Sequence, residues 1–318
     1  MSIGNLVAGG SGKTPAVAAI ATLLRGMGER PAILSRGYAR RERPAGVTIV
    51  SDGERVLEPA SRSGDEPQML ARTLPDVPVL VSPDRYEAGR VAIDRFASTV
   101  LLLDDGFQHV RLARDIDLLM VSRPDLDEQV LPWGALREPI SSGRAADALL
   151  VSGAPADAAS LSSTLHVNPT FMVRRYHEPP RTATPFGAAL DLPAGSRVVG
   201  VAGIARPQRF FASLREQGWD VVRELTFPDH HWYTAHDIAR VAAAASESQA
   251  TIVVTTGKDA VRLDGLVTVV PWAYLPMRVE IEPPGAFASW LSDRLAACRR
   301  AGAHGERGNP SGGESPRE

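Results

Sequence analysis

The chain has a single cysteine, Cys298, so it can build neither an internal disulfide nor a cysteine metal cage. Aromatic residues are scarce, at 6%, and Ala, Val and Leu supply most of the apolar mass. No apolar run approaches the roughly 20 residues that a membrane-crossing helix needs. No secretory signal precedes the first motif either. The formal net charge is only −2, which argues against a wholesale electrostatic grip on nucleic acid or anionic lipid, and no nucleic-acid partner is expected. These absences leave a reducing, cytoplasmic compartment as the expectation.

What is present is an ordinary globular composition, 44% hydrophobic and 23% charged over 318 residues, enough for one large or two moderate domains. Short β-rich runs at 2–7, 30–35, 77–81, 99–103, 118–121 and 148–152 alternate with helix-like stretches at 14–25, 66–73 and 85–95. Such alternation predicts parallel βαβ units. A second alternation follows: a strand at 197–202, helices at 207–217 and 235–245, and a strand at 250–255. We therefore expect an α/β fold with a first domain over 1–168 and a second, smaller α/β domain over 169–300. The segment 278–281 could pair with 171–176 as a two-stranded hinge. From Ala301 the chain is rich in Gly, Ser, Pro and Glu, and 301–318 reads as a disordered tail.

Val7-Ala-Gly-Gly-Ser-Gly-Lys-Thr14 follows a strand and opens a helix, matching the P-loop pattern except that Val7 stands in place of the first glycine. Gly9, Gly10, Ser11 and Gly12 let successive backbone N–H groups turn inward around a phosphate. Lys13 would reach the β and γ oxygens, and Thr14 would ligate Mg²⁺. The apolar run ending in Asp104 and Asp105 is the expected companion, a strand whose terminal acids hold the metal.

Gly64-Asp-Glu-Pro67 places two acids at a helix start. Asp65 could simply cap that helix, or it could accept the proton of an attacking hydroxyl, with Glu66 near the metal. His230 and His231, after Asp229, are either a surface pair or a partner for Asp65 across a cleft. Their spacing fits no usual zinc pattern.

Taken together, Gly4-Asn-Leu before the P-loop, Ser35-Arg-Gly-Tyr38, Gly64-Asp-Glu-Pro67, Asp104-Asp-Gly-Phe-Gln-His109, Leu131-Pro132 through Leu136-Arg-Glu-Pro139, and Phe227-Pro-Asp-His230 resemble the tetraacyldisaccharide 4'-kinase family, in the family's order. The resemblance implies a P-loop NTPase-like α/β/α sandwich with a second α/β domain. It implies transfer of the ATP γ-phosphoryl group to the 4'-hydroxyl of an acylated glucosamine disaccharide 1-phosphate in lipid A biosynthesis, giving lipid IVA. By motif, Asp65 becomes the general base paired with His230. Glu66, Asp104, Asp105 and Gln108 shape the metal and phosphate site, and Arg137 and Glu138 line the cleft. The implied cofactors are ATP and Mg²⁺, and the implied setting is the cytoplasmic face of the inner membrane, bound peripherally, as a monomer.

Two departures accompany the resemblance. The family usually carries an N-terminal helical segment before the opening strand, and its loss would weaken interfacial binding. At Gly257 the family commonly has an acid. The run Arg36, Arg40, Arg41 and Arg43 suits either lipid headgroups or solvent. Three other readings compete: a P-loop GTPase or metallochaperone, a kinase for a soluble sugar or nucleoside, and an inactive paralogue. Thr256-Gly-Lys-Asp259 has the wrong spacing for guanine recognition, which weighs against the first.

Overall fold

The computed structural model describes residues 1–9 and 12–305. In the first half the strands are Ser2–Asn5 (β1), Pro31–Ser35 (β2), Thr48–Ser51 (β3), Val79–Val81 (β4), Val100–Asp104 (β5), Asp117–Ser122 (β6) and Ala148–Ser152 (β7). They continue as Thr170–His177 (β8), Arg181–Thr182 (β9), Arg197–Ala202 (β10), Asp220–Thr226 (β11), Ile252–Thr256 (β12), Trp272–Leu275 (β13) and Met277–Glu282 (β14). Two sheets result, in the orders β14-β8-β7-β6-β1-β5-β2-β4-β3 and β11-β10-β12-β13-β9.

The large sheet is parallel from β4 through β8 and antiparallel at both edges. Its central strands are buried on both faces, the condition under which strands read as continuous apolar runs. Alternate residues feed opposite layers. Ile3, Ile33, Leu102 and Leu118 pack with the helix Lys13–Gly26 and with Phe287 and Leu291. Leu34 and Leu103 face Ala88 and Ala92, while Leu119 and Leu149 face Leu161 and Leu165. This is the expected α/β/α sandwich.

In the smaller sheet β10 to β13 are parallel, and Phe211 and Leu214 of the helix Pro207–Glu216 are fully buried against it. Burying each such side chain contributes roughly 1.5–3 kcal/mol. Ile238 and Val241 of the helix Ala235–Glu247 cover the other face.

The structure redraws the division at residue 168. β8 and β14 do pair antiparallel, with Arg278 opposite Tyr176 and Ile281 opposite Val173. They are not a free-standing hinge, because β8 also pairs with β7 and extends the large sheet. The helix after β14, Pro284–Gly305, packs in the core of that sheet and not of the smaller one. The chain thus leaves the first layer system after β8, builds the second sheet over 181–275, and returns. That helix also runs past Ala301 to Gly305; the rest of the expected tail, 306–318, lies outside the described residues.

Sequence reading passed over β3, β11, β13 and the helix Pro155–Leu165. β3 and β13 are four residues each, too short for a period to show. β11 is an edge strand carrying Asp220, Arg223 and Glu224, which blunts its apolar signal.

Candidate active site

A cleft of about 1450 Å³ lies between the two sheets and is lined from both. Its floor on the large-sheet side carries Ala8, Gly9 and Gly12, which lie between β1 and the helix Lys13–Gly26. Gly12 sits at that helix's N-terminus with φ 87°, and no acidic residue occupies the first turn, so the positive end of the helix faces the cleft uncompensated. The positive φ favours glycine here, and a Cβ on Gly12 would also meet the end of the flexible Arg175 side chain at 3.1 Å. Gly9 also has positive φ, at 105°. Gly10 and Ser11 lie outside the described residues. Lys13 Nζ donates to Asn5 Oδ1 at 2.7 Å and stands 3.3 Å from Asp105 Oδ1.

β5 delivers the two adjacent acids. Asp104 is buried at the strand end, and Asp105 turns away with φ 56°, an uncommon conformation for a residue with a side chain. Burial first, then the charges of Glu66 and Asp105, push the Asp104 carboxyl up to about 7, against the pull of Lys13 and Lys258. Arg137 Nη1 donates to Asp105 Oδ2 at 2.8 Å and to Gln108 Oε1 at 3.2 Å. Gln108 Nε2 in turn donates to Glu138 Oε1 at 2.8 Å and to the Asn5 carbonyl at 2.9 Å. Backbone bonds from Ala8 to Ala135 and from Arg137 to Leu6 zip this loop to the end of β1. Arg137 and Gln108 line the cleft, whereas Glu138 stands behind Gln108.

The opposite wall is built from both sheets. Gly64, with φ 89°, leads into the helix Asp65–Thr73. The Asp65 carboxylate does not cap that helix; it bonds to His230 Nδ1, 3.0 Å from Oδ2, and to Arg262 Nη2 on the same oxygen. Asp65 is only 2% exposed, so it is His230 and not Asp65 that faces the cleft. Burial alone would raise the Asp65 pKa, but the His230 hydrogen bond and the Arg262 and Lys258 charges outweigh it and hold the carboxyl well below its usual range. The same hydrogen bond raises His230 above an ordinary histidine, with burial opposing. His230 has φ 59° and meets the Tyr38 ring edge-on at 5.2 Å. His231 serves elsewhere: it bonds Asp237 at 3.0 Å and stacks on Phe227.

Three residues that sequence reading did not assign complete this wall. Lys258 pairs with Glu66, and Arg262 links Asp65 to Asp259, whose Oδ1 is 3.2 Å from Nη1. The only linear sign was a strand end, β12, followed at once by charged residues. The donor set of Thr14, Glu66, Asp104 and Asp105 is all oxygen, which suits a hard divalent cation. Among the described residues no three His, Cys, Asp or Glu side chains form a metal cage by themselves.

A family model described as tetraacyldisaccharide-1-P 4'-kinase matches residues 1–296. A tetraacyldisaccharide 4'-kinase of Syntrophus aciditrophicus is 38% identical over 307 residues, covering 90% of this chain and 81% of the relative. One from Anaeromyxobacter dehalogenans is 43% identical over 276 residues, covering 83% of this chain and 72% of the relative. Among solved structures, LpxK from Aquifex aeolicus in complex with ATP matches with a TM-score of 0.71 and 30% identity, covering 92% of this chain and 87% of that one.

Proposed function

This chain belongs to the tetraacyldisaccharide 4'-kinase family, and from that premise we propose how its cleft performs the reaction. The chain is an ATP-dependent kinase of lipid A biosynthesis that phosphorylates the 4'-hydroxyl of the acylated glucosamine disaccharide 1-phosphate. The proposal concerns which residues do it.

Gly9, Gly12 and the N-terminus of the helix Lys13–Gly26 receive the triphosphate, with Lys13 on its terminal oxygens. Lys13 then exchanges its pairing with Asp105 for the nucleotide's phosphates. Thr14, Asp104, Asp105 and Glu66 would hold Mg²⁺, which would supply positive charge against the phosphates of the nucleotide. Arg137, steered by Gln108 and Glu138, neutralises charge on the same side. The acceptor hydroxyl sits against His230, and the pair Asp65–His230 takes its proton as the oxygen attacks phosphorus. Asp65 accepts the Nδ1 hydrogen bond and fixes the ring, so Nε2 is the accepting atom of the neutral imidazole. Positioning and charge neutralisation supply most of the rate in phosphoryl transfer, and the base a smaller share.

The observation that carries this reading is the meeting of Asp65 and His230 at 3.0 Å on the wall facing Lys13 and the two acids of β5. Both halves of the site come from one chain, which supports a monomer as the working unit. No helix among the described residues is long and apolar enough to cross a membrane. We place the reaction at the cytoplasmic face of the inner membrane with the protein bound peripherally, because the acceptor is a lipid and apolar side chains such as Val110 and Trp133 are 82% and 84% exposed. The test is direct: purified protein with Mg-ATP and the acylated disaccharide 1-phosphate in detergent should yield the 4'-phosphate. Strong preference for GTP, or phosphorylation only of a soluble sugar, would overturn it.

A further inference from the structure

Arg262 occupies a position that the phosphoryl-transfer reading leaves unused. Its side chain is buried, and it reaches from the segment after β12 in the smaller sheet to Asp65 at the start of a helix of the larger one, 197 residues away in sequence. Nη2 donates to Asp65 Oδ2, the same oxygen that accepts from His230 Nδ1, and lies 3.4 Å from that ring nitrogen. Nη1 is anchored on Asp259 Oδ1 at 3.2 Å, with the carbonyls of His231 and Gly203 beyond it at 3.4 and 3.5 Å. Asp259 is itself fixed, because its Oδ2 accepts from the Gly203 amide at 3.0 Å and from Thr256 Oγ1 at 2.7 Å. The guanidinium therefore has one end tied to the rigid end of the smaller sheet and the other on the proton-accepting pair.

We propose that Arg262 is a positioning residue for the reaction: it holds the Asp65 carboxylate in register with His230 across the two sheets and disfavours the protonated form of the ring. This rests on the role proposed above for the Asp65–His230 pair. The physical reason is that two hydrogen-bond donors share one carboxylate oxygen. When His230 is neutral, Nδ1–H and the guanidinium both find that acceptor and Nε2 keeps a free lone pair. When His230 is protonated, a second full positive charge stands within 3.4 Å of the buried guanidinium. The other charged groups facing the ring do not replace this effect. Asp65 and Asp229 favour the cation, with Asp229 Oδ2 3.8 Å from Nε2, and Lys258 opposes it while paired with Glu66. Tyr38 contributes a ring edge without charge.

The experiment uses the full chain labelled with ¹⁵N-histidine, with His230 assigned by His230→Gln, alongside steady-state kinetics. Replacing the guanidinium by an apolar chain of similar length, Arg262→Met, should raise the titration midpoint of the His230 ring by about one unit. It should also lower kcat by about 10²-fold at constant pH, with the KM for ATP within about threefold of the parent. Arg262→Lys keeps the charge and loses the fork. Its midpoint should stay near the parent's while kcat is still reduced. If Arg262→Met does not fold, Arg262→Gln, which removes the charge and keeps a polar chain, carries the same comparison. An unmoved midpoint in Arg262→Met, or in Arg262→Gln where the former does not fold, or parental kcat in Arg262→Lys, would overturn the proposal. The titration needs no substrate. Failure to phosphorylate the acylated disaccharide would remove the functional reading and leave the test of Arg262 intact.

Discussion

His230 Nδ1 lies 3.0 Å from Asp65 Oδ2, and of the two only the histidine reaches the cleft. A carboxylate behind an imidazole orients the ring, selects its tautomer and stabilises the charge that forms when it takes a proton. If the two act as one unit, losing either should remove the unit. Asp65→Asn and His230→Ala should each lower kcat by about 10²–10⁴, and the double variant should be hardly worse than either. Multiplicative losses in the double-mutant cycle would separate the two residues and retire the pair.

Lys13 is held by Asn5 at the end of β1 and by Asp105 just after β5. In the proposed reaction its charge meets phosphate, and its removal leaves a partly exposed acid, not a hole in the core. Lys13→Ala should therefore cut kcat by about 10²–10³, the scale for losing one aimed electrostatic group. Circular dichroism should remain that of the folded protein. Turnover near the parental value would place the phosphate elsewhere.

Acid and neutral pH should reveal the two groups separately. His230 is raised in the folded protein, by its hydrogen bond to Asp65 first and against burial, relative to an ordinary value of 6.5. A raised group binds its proton more tightly when folded, so its contribution is complete below 6.5 and is lost as pH climbs through the higher folded value. Asp65 is lowered from 3.8, so its contribution is present above 3.8 and is lost as pH falls through the folded value. Denaturant titrations of His230→Gln should show a deficit near pH 6 that shrinks toward about pH 9. Asp65→Asn breaks a buried ion pair and should cost about 3 kcal/mol at pH 7, less in strong acid. A deficit in His230→Gln that grows with pH would contradict the assignment.

Gly64 carries φ 89°, and a Cβ there would stand 2.8 Å from the Tyr38 carbonyl oxygen. Its conformation sets the angle at which Asp65 enters the site. Gly64→Ala should destabilise the fold by roughly 1–3 kcal/mol and should lower activity beyond that loss. A thermal midpoint equal to the parent's would show that the backbone adapts.

What the residues alone determined were the features that local chain chemistry controls. The order strand, glycine turn, lysine and helix specifies a phosphate loop because it dictates backbone conformation over a few residues. The buried strand ending at Asp104 and Asp105 is legible for the same reason. The alternation of apolar runs and helices implies a parallel sheet covered on both faces. The tertiary structure alone decided how distant segments meet. Nothing near Arg262 in the sequence says that it shares an oxygen with His230, nor that Lys258 pairs with Glu66. Nothing near residue 168 says that β8 and β14 return to the large sheet instead of starting a new domain. Asp65 at a helix start could cap it or serve another group with equal local sense. The choice was made by a second sheet that packs a guanidinium and an imidazole against it, where a carboxylate removed from water must find cationic partners.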